Sequence, residues 1–304
     1  MAITAGMVKE LREKTGAGMM DCKKALTEAE GNMDRAIDIL REKGLSQAAK
    51  KSDRIAAEGL VGMMISEDGK KAAMTEVNSE TDVVAKNEEF QTFVANVTKV
   101  AMEKEPKDLE ALLASEYADG VTVEAELTSK IAKIGENMNV RRFSALSIEA
   151  GRISGYVHGA GKIAVLVKLE AASDSEKLDE LGKDIAMQVA AMNPKYISRD
   201  DVDQDYINHE REILIQQALN EGKPQNIVEK MVEGRLQKQL KEVCLLEQTF
   251  VKDSDKAVKD VVADTAKALG VEIKVVAVER FEVGEGLEKK SENFAEEVAK
   301  QLGN

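Results

Sequence analysis

Few side chains in this sequence are able to carry chemistry. Two cysteines, Cys22 and Cys244, and two histidines, His158 and His209, are scattered through the chain. Zinc-type sites place such ligands about two to five positions apart, and no cluster here has that spacing. The run Gly159-Ala160-Gly161-Lys162 looks like a fragment of a phosphate-binding loop. The full pattern needs a glycine before it and a Ser or Thr after the Gly-Lys pair. Those positions hold Tyr156 and Ile163, and a matching Asp68-Gly69-Lys70 earlier in the chain reads both runs as hairpin corners. One stretch remains, Glu76 to Asn87, with Glu80, Thr81 and Asp82 in a polar loop followed by Val83 and Val84. It offers no convincing nucleophile or general base. Its residue types suit contact with a partner.

The flanking pattern says how that stretch is held. Ala72, Ala73, Met74 and Val77 form a short apolar run after the turn signal Ser66-Glu67-Asp68-Gly69, which reads as a strand. Phe90, Phe93, Val94, Val97 and Ala101 recur at steps of three and four, one face of a helix. Asn87 is placed to cap that helix, and Glu88 and Glu89 suit the positive end of its dipole. The loop therefore sits at a strand-to-helix junction between rigid elements, a place where a few side chains can be presented.

The same order recurs. Gly62 to Met102 and Gly155 to Met192 each read strand, turn, strand, polar loop, helix, the second helix carrying Leu178, Leu181, Ile185, Val189 and Met192 on one face. Each copy ends in a related strand, Val140-Arg141-Arg142-Phe143 and Val278-Glu279-Arg280-Phe281. The fold class is α+β, with two duplicated core subdomains that each carry a small antiparallel sheet covered by helices. Ahead of them lie three short helices. Thr4 caps the first, with Val8 and Leu11 inward, and Gly16-Ala17-Gly18 stops it. Ala25, Leu26 and Ala29 face inward on the second. Asn32 caps the third, with Met33, Ala36, Ile37 and Leu40 inward, and Gly44 is expected to end it. The Gly-Ala-Gly-Met-Met loop is their expected exposed feature. Met19 and Met20 in it are either core filler or an adaptable contact surface. The second copy is lengthened by two helices around Gly222-Lys223-Pro224, with Tyr206, Ile213, Leu214 and Ala218 expected inward on one, and Ile227, Val228, Met231 and Leu240 on the other. So narrow a seam predicts a projecting hairpin. The expected divisions are a three-helix module at 1–45, a helical linker at 46–58, core subdomains at 59–150 and 151–283, an inserted hairpin at about 202–246, and a C-terminal helix within 284–304 that carries Phe294, Val298 and Leu302.

Composition narrows the function classes. With 304 residues, 43% hydrophobic and 33% charged, the chain is long enough for more than one packed core. Aromatics are only 3% and Trp is absent, so the cores are built from Ala, Val, Ile, Leu and Met. A formal charge of −13 argues against general nucleic-acid binding, which needs a basic face. Two unpatterned cysteines fit a reduced, cytoplasmic chain. No signal peptide is visible, and no uncharged apolar run reaches membrane-spanning length.

The order of parts also resembles a known family, the bacterial elongation factor Ts proteins. The runs that carry the resemblance are Leu11-Arg12-Glu13-Lys14-Thr15-Gly16-Ala17-Gly18-Met19-Met20-Asp21-Cys22-Lys23-Lys24-Ala25-Leu26, then Ala132-Lys133-Ile134-Gly135-Glu136-Asn137, Lys230-Met231-Val232-Glu233-Gly234-Arg235, and Arg280-Phe281-Glu282-Val283-Gly284-Glu285-Gly286. The resemblance implies a guanine-nucleotide exchange factor for elongation factor Tu, in both its GDP-bound and nucleotide-free forms. It implies a ubiquitin-associated-like N-terminal module, and no cofactor, metal or catalytic residue. Arg12, Met19 and Met20 match positions that grip the partner's nucleotide-binding domain, and His158 matches a contact to a different partner domain. Thr81-Asp82-Val83-Val84 matches the family's Thr-Asp-Phe-Val motif, which disturbs magnesium coordination near the bound nucleotide. The motif's Phe is Val83 here, a loss of roughly 1 kcal/mol of buried apolar surface by area arithmetic.

Two other function classes compete. An acidic scaffold or chaperone-like adaptor would bind several helical partners and leave nucleotide release unchanged. An enzyme would turn over a substrate with no GTPase present, and the shortage of His, Cys and aromatic residues speaks against it.

Overall fold

The computed structural model describes residues 3–288, so the expected helix around Phe294, Val298 and Leu302 lies outside the described residues. Two compact units emerge. Of the described residues, the first takes in 3–64, 73–145 and 282–288, and the second 65–72 with 146–281.

The first unit opens with helices α1 (Ala5–Thr15), α2 (Met19–Glu28) and α3 (Met33–Ala49). Thr4 and Asn32 cap α1 and α3 through their side-chain oxygens, and Gly16 closes α1 in the left-handed region. Val8, Leu11, Cys22, Ala25, Leu26, Ala36 and Ile39 make the small core. The third helix does not stop at Gly44. That residue is buried, and a Cβ on it would lie 3.8 Å from Ala132 in the helix Val123–Ile134. The packing of these two helices carries α3 on to Ala49. Residues 50–57 are turns and extended chain. The tether expected at 46–58 is thus helical only in its opening residues.

Next come strands β1 (Glu58–Ile65) and β2 (Lys71–Ser79), then α4 (Asp82–Ala85), α5 (Glu88–Lys104) and α6 (Leu109–Ala114). The short ribbon β3 (Glu116–Ala118) and β4 (Val121–Thr122) leads into α7 (Val123–Ile134) and β5 (Met138–Ser147). The sheet runs β1-β2-β5, and the expected apolar face of α5 is buried against Ala73, Val77 and Val140.

The second unit repeats the plan. Strands β6 (Gly151–His158) and β7 (Ile163–Ala171) pair antiparallel, with His158 opposite Ile163 at the corner. Then follow α8 (Glu176–Met192), the hairpin helices α9 (Gln204–Asn220) and α10 (Gln225–Val243), the ribbon β8 (Thr249–Phe250) and β9 (Asp253–Ala257), α11 (Val258–Leu269) and β10 (Ile273–Glu282). The sheet order is β6-β7-β10, so in both units the second strand is central. A glycine lets the main helix lie close on the first strand in each. On Gly62 of β1 a Cβ would come within 2.3 Å of the Thr98 hydroxyl on α5. On Gly182 of α8 it would come within 2.6 Å of Ser154 on β6. The duplication thus keeps the close contact while the glycine changes sides.

Three inward assignments fail in this unit. Ile213 and Ile227 of the hairpin are exposed, because its seam is formed by Leu214, Ile215, Ala218, Val228 and Val232. Met192 at the end of α8 is also exposed, one turn beyond the buried Val189.

The most constrained polar group in the first unit is Glu76, 0% exposed in the middle of β2. Its Oε1 accepts from the Gly284 amide at 2.8 Å, the Asn78 side-chain amide at 3.0 Å and Arg141 at 3.1 Å, and its Oε2 accepts from Arg142 Nε at 2.5 Å. Burial pushes this carboxyl up, but the Gly284 amide, Asn78 and Arg142 outweigh it and hold the pKa below the ordinary glutamate value. The unfolded chain therefore binds the proton more tightly. Glu76 contributes its stability above the unfolded value near 4.5 and loses it as pH falls through the lower folded value. Glu76→Gln removes the buried counter-charge from Arg141 and leaves Arg142 with the more exposed Glu285 at 3.3 Å, and should cost about 3 kcal/mol at pH 7 in urea unfolding. The gap from wild type should shrink as pH drops through 4 and below. A gap that stays constant down to pH 3 contradicts this account.

Candidate functional site

Thr81 follows β2, buried from Ala72 to Ser79, after the single residue Glu80, and precedes a run of helix-compatible residues. The expected polar loop accordingly folds into a single helical turn, α4, with Thr81 as its N-cap. The Thr81 hydroxyl accepts the Val84 amide at 3.4 Å. Val84 and Ala85 turn inward to the core, and Asn87 then caps α5 by accepting the Glu89 and Phe90 amides at 2.8 and 3.3 Å. With α4 pinned on its inner side, the outer side is left to Asp82 and Val83. Asp82 is exposed and pairs with Lys86 at 2.7 Å one turn on, a contact of little energetic weight at the surface. Val83 is 71% exposed. A branched apolar side chain on the outer face of a capped turn contributes almost nothing to this chain's own core.

The base of this projection is held from two directions. Glu89 at the start of α5 pairs with Lys130 and Lys133 of α7, both at 2.8 Å, and Lys130 also meets Glu126 at 2.8 Å. Burial acts to raise the Glu89 carboxyl, and the two lysines more than reverse that. On the other side, Glu136 accepts the Thr81 amide at 3.1 Å and the Thr81 hydroxyl at 2.7 Å. Glu80 accepts the Asn137 amide at 2.6 Å, and the Asn137 side chain donates to the carbonyls of Ser52 at 3.3 Å and Arg54 at 2.7 Å. Glu136 and Asn137 fall inside one of the sequence runs quoted above, but their roles were not visible there. Their partners stand more than fifty residues away in the chain.

The remaining expected contact residues sit elsewhere. Met19 and Met20 are not in a loop. They are the first residues of α2, and at 59% and 62% exposed they are surface rather than core filler. Arg12 is exposed on α1 of the same module. His158 belongs to the second unit, exposed at the end of β6, with its Nδ1 3.0 Å from the Tyr156 hydroxyl. Thr81, Asp82, Val83 and Val84 are thus brought together in one turn, and of these only Val84 is buried.

The chemical inventory is sparse. Both cysteines are free and buried, and burial pushes each thiol up, away from the reactive thiolate. Among the described residues, no group of three His, Cys, Asp or Glu is placed to hold a metal ion, and no helix is long and apolar enough to cross a membrane.

The contrast between neighbouring valines is measurable. Val83→Ala should change the unfolding free energy by less than about 0.5 kcal/mol, as for other exposed positions. Val84→Ala should cost about 2 kcal/mol, because it deletes buried methyl groups. Equal losses in denaturant titrations would mean that Val83 packs against its own chain.

Comparison with known proteins supplies the family. Residues 80–285, which run from the Glu80–Asn137 contact to the turn beside Glu76, match the family described as elongation factor TS. Over 300 residues, 99% of each chain, the sequence is 63% identical to elongation factor Ts of Clostridioides difficile strain 630. It is 56% identical over 302 residues to that of Clostridium novyi strain NT, and 54% identical over 301 residues to that of Clostridium botulinum strain Alaska E43, again with 99% of each chain covered. With both units, the exposed Val83 turn and the full length of these relatives accounted for, the chain belongs to the elongation factor Ts family of translation elongation factors.

Proposed function

We propose that this chain is a guanine-nucleotide exchange factor that binds elongation factor Tu in the cytoplasm and promotes release of its GDP. The observation that carries this reading is Val83, an apolar side chain raised on a capped turn and 71% exposed among the described residues. Exchange needs no bond to be broken. It needs surfaces that bind the nucleotide-free partner better than the loaded one. By linkage, the factor weakens nucleotide by the same ratio that nucleotide weakens the factor. A ratio of about ten thousand corresponds to roughly 5.5 kcal/mol of differential binding.

In this reading the α4 turn is the element that discriminates. Asp82 and Val83 press on the partner beside its magnesium ion, which otherwise offsets much of the phosphate charge, and a shifted magnesium loosens GDP. Met19, Met20 and Arg12 grip the nucleotide-binding domain, and methionines suit this because their unbranched side chains adapt to the surface they meet. His158 makes the contact to a second partner domain. Val83 is a smaller wedge than the family's Phe, so the push rests more on Asp82 and on how firmly the turn is held.

Asp82→Ala and Val83→Ala should each slow the release of fluorescent GDP at saturating factor, while complex formation persists. Unchanged rates in both variants would remove the turn from the mechanism. The Met19→Ala, Met20→Ala double variant should instead raise the concentration needed for half-saturation by about tenfold or more, as for loss of two central apolar anchors. Undiminished affinity there would remove the N-terminal grip.

A further inference from the structure

A four-residue helix has no stability of its own, because nucleation is costly and α4 never propagates. Its N-cap bond, Thr81 Oγ1 to the Val84 amide, is long at 3.4 Å. Something outside the turn has to fix it. Val84 and Ala85 anchor its inner side and the Ser79 hydroxyl donates to the Thr81 carbonyl at 3.0 Å, and to these the structure adds a reciprocal exchange of carboxylates. Glu136 receives both the amide and the hydroxyl of Thr81, the residue after Glu80. Glu80 receives the amide of Asn137, the residue after Glu136. Each chain crossing is thereby closed from both sides, and the second carboxylate, Glu80, also meets Arg54 at 3.4 Å. Glu136 itself follows Gly135, which ends α7 in the left-handed region, so its starting point is rigid.

We propose that Glu136 is a positioning residue for exchange: its carboxylate fixes Thr81, and through Thr81 the direction in which Val83 projects. This rests on Val83 being the side chain that presses on the partner. The Thr81 hydroxyl donates to Glu136 while accepting from Val84, so one bond orients the other. Without the Glu136 acceptor the hydroxyl is free to rotate and the Thr81 amide loses its partner. The turn then yields when it meets the partner and no longer displaces what lies behind. Recognition by Met19, Met20 and His158 does not pass through this contact. Loss of Glu136 therefore acts on the maximal rate and leaves the affinity alone.

The test is GDP release from elongation factor Tu with Glu136→Ala and Glu136→Gln, each in wild-type and Val83→Ala backgrounds. Glu136→Ala should lower the saturating rate by about tenfold, the scale on which small misplacements of working groups are felt. The half-saturating concentration should stay within about twofold, and Glu136→Gln, which keeps one acceptor oxygen, should recover part of the rate. In the Val83→Ala background the further loss from Glu136→Ala should shrink to the part that the same turn delivers through Asp82, since coupled residues are not additive. The same fold-loss in both backgrounds, or none in either, overturns the proposal. A wild-type chain that fails to accelerate release overturns the exchange reading instead. In that case amide hydrogen exchange in the free protein decides the tether by itself. Thr81 and Val84 should exchange faster in Glu136→Ala, and unchanged rates would overturn it.

Discussion

Glu76 is a carboxylate fully shielded from solvent, and the first unit is arranged around satisfying it. A buried charge of this kind is tolerated only when its lone pairs are filled by good donors. Here the donors come from β2 itself, from β5 and from the turn after β10. Arg141 and Arg142 also reach on to the Glu285 and Glu282 carbonyls, so the two arginines join Glu76 to the chain that follows the last strand. One residue thus fixes the position of the central strand of its sheet. That strand leads directly into Glu80, Thr81 and the α4 turn. The rigidity with which Val83 is presented begins at Glu76 and is completed by Glu80, Glu136 and Asn137.

The surface contrasts with this interior. Val83, Met19 and Met20 are apolar and exposed, whereas the polar groups behind Val83 are paired. A protein that works by differential binding has this distribution for a physical reason. Strain delivered to a partner must be resisted by the side that delivers it, and the resisting groups are hydrogen bonds of short reach. The delivering groups gain area only in the complex. On the proposed reading, the stability of the free chain and its action on a partner are carried by different residues within a few positions of each other.

Much of this was legible in the sequence because it is local. The period of three and four in Phe90, Phe93, Val94, Val97 and Ala101, the Asn87 cap and the repeated strand-turn-strand order each depend on near neighbours, and each appears in the structure as read. Gly44 misled because a glycine that usually stops a helix lies here inside the packed face between α3 and α7, and that tertiary contact carries the helix past it. The hairpin seam shifted from Ile213 and Ile227 to Ile215 and Val232, because two charged helices have too few apolar residues for periodicity to choose a single face. The bonding roles of Glu76, Glu80 and Glu136 were not visible in the sequence. Their partners lie up to 208 residues away, and nothing in a local pattern signals a pairing of that span.

The most direct test of the central claim is stopped-flow release of a fluorescent GDP from elongation factor Tu of the same organism, with rising concentrations of this chain at low and at high magnesium. The account predicts acceleration that saturates with concentration and is suppressed by excess magnesium, since the ion and the α4 turn compete for the same arrangement of the partner. Measurable binding with no acceleration, or acceleration indifferent to magnesium, would contradict it.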